Sequence, residues 1–418
     1  MGTTVRDTLL EWIDRDRDHL VRFLSKFVAV PSPNPPGDTR QAAAFIHAAI
    51  ESSGAPVATR TAKPDWPNVT GAFACSKPGR HLVLNGHIDV FPAGPAQAWS
   101  RDPWSGAVAD GRVHGRGVTD MKCGTAASIW TYLYLHRLRD RLAGRLTLTC
   151  VSDEETGGTW GAKWLVDTFG DEFRGDCMLN GEPSTPGTIR FGEKGTLRLV
   201  FEIKTPGAHA AYTHQSRNAI AIAADLIRDL YGLENLGFEQ PDAIRRAIAA
   251  SGPAMDRALG AGASGILNRV TVSPGVIQGG LKINMLPGDC RIEVDIRLPV
   301  GLTHATMIKE IERFLVRHPE ARMSPVWTHS AEPTVCDPKH PMMGILKATV
   351  TSLGRPEPVA SVSLGATDAK HWRNSGVPAY VYGCSPNNMA KPDEWVDIEE
   401  FIHVVRTHAL AAAAYLAA

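Results

Sequence analysis

The sequence predicts an α/β fold: a mostly parallel sheet flanked by helices, interrupted by an inserted α+β domain. Two patterns and the length predict it. In the first half, short apolar strands such as Leu82-Val83-Leu84 alternate with helical segments, which is the signature of a largely parallel sheet covered on both faces. From about residue 196 the texture changes to strands of strict apolar/polar alternation, as in TLRLVFEIKT and GDCRIEVDIRLP, which expose one face. At 418 residues the chain exceeds what one ordinary core supports. The expected division is an α/β domain over 1–195 and 331–418, with a separate α+β domain inserted over 196–330.

In chain order, residues 7–29 place Leu9, Ile13, Leu20, Phe23, Leu24 and Phe27 on one face, an amphipathic helix stopped by PSPNPPGD at 31–38. TRQAAAFIHAAIESSG reads as a second helix ending near Gly54. VTGAFAC and HLVLNG read as strands. Residues 91–117 are rich in Gly, Pro and Trp and have weak periodicity; a loop of that length in a compact domain builds a site more often than it merely connects. TDMKCGTAASIWTYLYLHRL and GAKWLVDTFG are helical, and RLTLTCVSDEETGG and DCMLNGEPS are strands that run out into acids. In the insertion, NAIAIAADLIRDLYGL and THATMIKEIERFLVRH are helices beside RVTVSPGVIQGG and the alternating strands. After it come helix MGILKATVTSLG, strand AYVYGC and a closing helix IEEFIHVVRTHALAAAAYLA.

Composition narrows the function. Lys plus Arg and Asp plus Glu each total 44, a net formal charge of zero, which recommends neither a nucleic-acid nor an anionic-membrane partner. A small-molecule substrate fits better. No apolar run reaches the roughly 18–20 residues that span a bilayer, and the N-terminal stretch has no apolar secretory core. The seven cysteines are scattered without a CxxC pair, so neither a disulfide framework nor a thiolate zinc site is expected, and the expected compartment is the cytoplasm.

The candidate chemistry lies at strand ends. His87 and Asp89, two residues apart, share one side of an extended backbone, which suits a metal ligand backed by an orienting carboxylate. Alone, the pair reads more readily as a strand-end hydrogen bond with no metal. Asp120, the acids Glu154 and Glu155 and the strand-end Glu182 should meet it at one sheet edge, since ligands of such sheets sit beyond the carboxyl ends of the strands. Imidazole plus carboxylates suits zinc, manganese or cobalt. Glu154 and Glu155, pointing apart if still extended, can divide the work of base and ligand, as metal-assisted hydrolysis requires.

The strings NGHIDVFPAG, GRVHGRGVTDMKCG, SDEETGG, NGEPS, GEKG, PGAHAAYTHQSRNAI, KINMLPGDCRIEVDIRLP and LGATDAKHWRNSGVPAYVYG occur in that order within residues 30–400. With them the chain resembles the aminoacylase, acetylornithine deacetylase, succinyl-diaminopimelate desuccinylase and glutamate carboxypeptidase family of metallohydrolases. The resemblance implies one or two divalent metals (Zn, Mn or Co) per chain and a lid that forms a homodimer or higher homo-oligomer. It implies His87 and Glu182 as ligands of one metal, Asp89 as the orienter of His87, Asp120 as a bridge, Glu155 as a ligand of the second metal, and Glu154 as general base. His209 matches a lid histidine that stabilises the oxyanion, often from the partner subunit, and Asn284 and Arg297 match positions that hold a substrate carboxylate; Arg297 reads equally as a structural arginine. One position departs. The family places a histidine four residues before the glutamate that matches Glu394, and here that residue is Ala390. The resulting expectation is hydrolysis of a carbon–nitrogen bond in an N-acyl amino acid or small dipeptide-like compound. Two alternatives stand beside it: a mononuclear aminohydrolase acting on an activated aromatic amine such as a nitroanthranilate, for which Trp99, Trp104, Trp160 and Trp164 offer an aromatic pocket, and a metal-binding homologue without catalysis.

Overall fold

The computed structural model describes residues 4–417. A nine-stranded sheet carries the site. At its centre, strand Lys77–His87 pairs in parallel with Ala143–Val151 on one side and Cys177–Asn180 on the other. Ala379–Val381 continues the parallel order beside Cys177–Asn180, and Val359–Ser363 runs parallel to Thr188–Glu193. Antiparallel pairing is confined to the flanks, where Ala58–Thr61 and Pro67–Ala74 precede Ala143–Val151, and to the pairings of Thr188–Glu193 with Ala379–Val381 and Thr334–Val335.

Register delivers the acids to one edge. His87 lies opposite Val151, and Asn85 opposite Asn180, so Glu154, Glu155 and Glu182 follow just beyond the same ends. A buried polar relay holds that edge: Asn180 Nδ2 donates to Asn85 Oδ1 (2.7 Å), Asn85 Nδ2 donates to Thr149 Oγ1 (3.1 Å), and the Glu182 N–H donates to Asn180 Oδ1 (2.7 Å). The helix Cys123–Arg137 seats against these ends only because two glycines touch there. A Cβ on Gly124 would lie 1.9 Å from the Gly181 carbonyl oxygen, so Gly124→Ala would push the helix off the Glu182 turn.

The predicted helix over 7–29 is two helices, Val5–Arg15 and Arg17–Val28. The break falls at Asp16, whose carboxylate accepts from Arg15 Nε (2.9 Å) and Tyr134 Oη (3.2 Å), a tertiary pull that periodicity does not register. Residues 91–117 are not featureless: Val108–Ala109 and Arg112–His114 form a small sheet with Trp395–Asp397.

Strands Gly195–Lys204, Thr271–Gly279, Asp289–Leu298 and Ala321–Pro325 form a separate antiparallel sheet. Its alternation buries Leu197, Leu199, Phe201 and Ile203 against helices Ala219–Tyr231 and His304–Leu315, making a second core. The helix Asp242–Leu259, which hydrophobic patterning left unassigned, lies between these strands in sequence. Its Ile244, Ile248 and Met255 nevertheless join the core of the large sheet. Among the described residues all seven cysteines are free, and no helix is long and apolar enough to cross a membrane.

The closing helix Ile398–Tyr415 carries an acid-sensitive residue. His408 is fully buried; its Nε2–H donates to the Tyr382 carbonyl (2.7 Å) and its Nδ1 has no partner. Burial pushes its pKa down to about 4. Unfolded chains bind that proton near pH 6.5 and the native protein only near pH 4, so stability is full above 6.5 and falls on acidification towards 4. We predict a loss of about 3 kcal/mol from this residue over that window, seen as a falling urea midpoint. His408→Gln should flatten that part of the curve, and an unchanged slope in the variant would remove His408 as its cause.

Candidate metal centre

His87 is fully buried at the end of its strand. Its Nδ1 lies 2.8 Å from the backbone carbonyl of Asp89 and 3.5 Å from the Asp89 carboxylate. With Nδ1–H given to that carbonyl, Nε2 presents its lone pair to the cavity, 3.1 Å from Asp120 Oδ1 and 3.3 Å from Glu182 Oε1. Thus the backbone of Asp89 makes the shorter contact to the ring. The carboxylate of Asp89 has other partners: it accepts from Asn34 Nδ2 (2.8 Å) and from the backbone N–H groups of Glu154 (3.2 Å) and Glu155 (3.1 Å).

Those two acids are not extended, as expected from the strand pattern, but sit in a 3-10 turn, Glu154–Thr156. Asp153, in a left-handed conformation (φ 68°), turns the chain into it, and its buried carboxylate accepts from the N–H groups of Trp160 and Gly161 (both 2.9 Å). The turn still separates the two side chains' partners. Glu154 Oε1 lies 3.7 Å from Lys370 Nζ, whereas Glu155 Oε1 is buried without a partner.

Asp120 is presented by a tight turn, Val118–Lys122, whose amides converge on Glu394. That buried carboxylate accepts from Arg116 Nη1 (2.6 Å), Gly117 N (3.0 Å), Thr119 N (2.9 Å), Thr119 Oγ1 (2.7 Å) and Asp120 N (3.3 Å). Four residues earlier stands Ala390, which is exposed, has positive φ (60°) and offers no donor atom.

The electrostatics of the cluster call for a cation. Burial drives Glu182 up to about 8, reinforced by Asp120. Burial also raises Glu155 well above the carboxylate range, again with Asp120 adding to it, and raises Glu154 against the opposing pull of Lys370. Burial alone would lower His87, but Glu182 and Asp120 outweigh it and hold it well above 6.5. Four acids crowded around one imidazole repel each other unless positive charge enters. One ligand atom from each of His87, Asp120 and Glu182 lies within 4.8 Å of the others, and among the described residues this is the only group placed to hold a metal ion. The donor set, one imidazole nitrogen and hard carboxylate oxygens, fits a divalent cation of the zinc, manganese or cobalt kind.

The acids open onto a cavity of about 510 Å³ between the two sheets. Asp120, Glu154, Glu155 and Glu182 line it, with Arg190, Lys370, Ser363 and Thr367 from the large-sheet side and Thr196, Arg198, Arg297 and His329 from the other. His209 and Asn284 do not line it. Both are exposed on a two-stranded ribbon, where Ala210 N donates to the Asn284 carbonyl (3.0 Å). Nor do the four tryptophans form a pocket wall: Trp99 donates to the Ala93 carbonyl (2.8 Å), Trp164 packs on Phe169, and Phe91 is the aromatic ring that reaches the cavity.

Sequence reasoning missed Arg190 and Lys370. Lys370 sits inside the string LGATDAKHW, which signalled it, but Glu154 lies 216 positions away in the chain. A buried network fixes its loop: Glu193 accepts from Thr367 N (3.2 Å), Thr367 Oγ1 (2.8 Å) and Arg373 Nη1 (2.8 Å).

Residues 83–414 match the family described as Peptidase family M20/M25/M40. A succinyl-diaminopimelate desuccinylase of Cereibacter sphaeroides is 28% identical over 354 residues, 82% of this chain and 85% of that protein. An N-formyl-4-amino-5-aminomethyl-2-methylpyrimidine deformylase of Halalkalibacterium halodurans is 24% identical over 439 residues, covering 97% and 96%. Among solved structures, an M20 family metallo-carboxypeptidase from Sulfolobus solfataricus superposes with a TM-score of 0.79 at 17% identity, covering 95% of this chain and 98% of that one.

Proposed function

The chain belongs to peptidase family M20/M25/M40 and is a hydrolase of amide bonds, and on that premise we propose that it cleaves the amide of a small N-acyl amino acid or dipeptide-like compound, with Glu154 as general base. One observation carries this reading: a nearly buried glutamate, ion-paired to Lys370, faces the cavity beside the His87, Asp120 and Glu182 cluster. The removal of succinyl and formyl groups that the relatives' names describe supports an N-acyl substrate.

In this reading His87, Asp120 and Glu182 hold a divalent cation, and Ala390 leaves Glu155 without the histidine partner that a second tight site would need. A cation there supplies Lewis acidity, lowering the pKa of a water and polarising the amide carbonyl. Glu154 takes the attacking water's proton and delivers it to the leaving nitrogen. Lys370 opposes the burial that pushes Glu154 up and so favours the carboxylate form that can accept a proton. Asp89 fixes the attacking geometry from behind, since its carboxylate grips the amides of Glu154 and Glu155 while its carbonyl sets the His87 tautomer.

His209 lies on an exposed ribbon next to Leu281, Ile283 and Met285, which are 85%, 99% and 45% exposed. A second copy docked through that exposed apolar edge would let His209 serve the partner's cavity as an oxyanion donor. The free cysteines suit a reducing compartment such as the cytoplasm. A panel of N-acetyl, N-succinyl and dipeptide substrates, assayed with zinc, manganese and cobalt, tests the reaction. Turnover of at least one amide is expected. Ammonia release from an aromatic amine, with every amide inert, would instead favour the deaminase reading.

A further inference from the structure

The basic groups of the cavity wall already have partners within the protein. Arg297 spends its fork on Asp295, with Nε to Oδ1 at 2.6 Å and Nη2 to Oδ2 at 3.2 Å. Arg198 Nε also donates to Asp295 (3.2 Å), Lys370 faces Glu154 at 3.7 Å, and Arg190 Nη1 donates to Ser363 Oγ (3.1 Å). The apolar part of the wall is left open. Phe91 and Met389 line the cavity while 39% and 38% exposed, and among the described residues no other large apolar side chain combines the two. Glu182, by contrast, is 5% exposed, so the cavity runs from a buried acidic floor to an open apolar edge.

Backbone hydrogen bonds fix both side chains at that edge. Phe91 follows Val90, whose N–H donates to the Ser32 carbonyl (3.0 Å) and whose carbonyl accepts from Asn34 N (2.8 Å). Met389 stands between Asn388 and Ala390, both left-handed (φ 54° and 60°), and Asp393 is a third such residue (φ 55°). Asn and Asp tolerate that region, whereas an alanine has no side-chain hydrogen bond to offset its cost, so the loop must be fastened from outside. Asn388 Nδ2 donates to the Asp393 carbonyl (3.1 Å), and Lys391 N donates to the Asn388 carbonyl (2.8 Å). The Asp393 carboxylate accepts from Ser100 N and Ser100 Oγ (both 2.8 Å). Ser100 belongs to the 91–117 segment that begins at Phe91, so the two apolar side chains come from segments tied to each other. Where the family has its histidine this chain has an exposed Ala390, and the residue the loop offers to the cavity is Met389.

A phenyl ring and a thioether open to water at a cavity edge gain from an apolar cover and offer little to a polar one. We propose that Phe91 and Met389 form an apolar clamp that selects amides carrying an apolar chain over equally large polar ones. The inference rests on the hydrolase reading and deepens it. The chain can belong to the amine half, as in a norleucine derivative, or to the acyl half, as in a hexanoyl amide; the chemistry at the clamp is the same.

The test compares wild type, Phe91→Ala, Met389→Gln and Met389→Leu on N-acetylalanine, N-acetylglutamine, N-acetylnorleucine and N-hexanoylalanine. Norleucine and glutamine side chains are nearly equal in length, so their ratio reads apolarity rather than size. In wild type, N-acetylnorleucine or N-hexanoylalanine should exceed both N-acetylalanine and N-acetylglutamine in kcat/KM by about 10-fold, the effect of burying one or two methylene groups. That preference should fall to about 3-fold or less in Phe91→Ala and in Met389→Gln, and it should survive in Met389→Leu, which keeps an apolar side chain of similar volume. No apolar preference in wild type, a preference untouched in both Phe91→Ala and Met389→Gln, or an equal fall on all four amides overturns the assignment; the last is what a merely structural role would give. If wild type turned over none of these amides, the hydrolase reading would fail. The clamp would then be judged by calorimetric titration of the metal-loaded proteins with hexanohydroxamate and acetohydroxamate. Tighter binding of the longer hydroxamate by wild type, with the gap closing in Met389→Gln, is expected; no gap in wild type, or the same gap in both proteins, would overturn the proposal.

Discussion

Glu154→Gln is expected to lower kcat/KM for amide hydrolysis by about 10²- to 10⁴-fold, the usual contribution of a positioned general base, while metal content stays at the wild-type level. The two readouts belong together. Glu154 does not belong to the group of ligand atoms formed by His87, Asp120 and Glu182, so losing its basicity should leave their cation in place. Gln is nearly isosteric and still lies within reach of Lys370, whose Nζ also donates to the Thr367 carbonyl (3.0 Å), so the loop is not expected to collapse. Activity and metal falling together would point to Glu154 as a ligand. Unchanged activity would favour a binding protein that has no use for a base.

The second large effect is structural. Glu394→Ala should destabilise the protein by about 3–5 kcal/mol, the range for removing one partner of a buried ion pair, and should weaken cation binding as well. Glu394 is 1% exposed and gathers the Arg116 guanidinium, the Thr119 hydroxyl and three backbone N–H groups that include that of Asp120. Without it Arg116 is a buried uncompensated charge, and the turn that presents Asp120 loses its anchor. Urea unfolding and metal affinity measured on the same sample check both parts. A stable variant with normal metal binding would mean that the turn holds its shape unaided.

The parts of the site that follow from strand ends were legible in the sequence. His87, Glu154, Glu155 and Glu182 each stand within four residues of the end of an apolar or alternating strand, and the topology of a parallel sheet brings such ends to one edge. Contacts made across long sequence separations were not legible. Arg190 lies on Thr188–Glu193, and its partner Ser363 lies 173 residues on. The role of Glu394 depends on amides 274–277 residues before it. Arg297 is a different case. Asp295 is two residues away on the same strand face, a signal that the fork was already engaged. His209 and Asn284 stand apart from the cavity, exposed on or beside the two-stranded ribbon, and their sequence context carried no sign of that.

In the proposed reading His87, Asp120 and Glu182 hold the cation on which hydrolysis depends, and Ala390 leaves the chain with one tight site. Metal-stripped protein titrated with zinc or manganese, with bound metal counted and amide hydrolysis followed in the same samples, tests it most directly. Activity should saturate at about one ion per chain, and Glu182→Ala should abolish both the tight binding and the activity. Two tightly bound ions per chain, or full activity in Glu182→Ala, would contradict it.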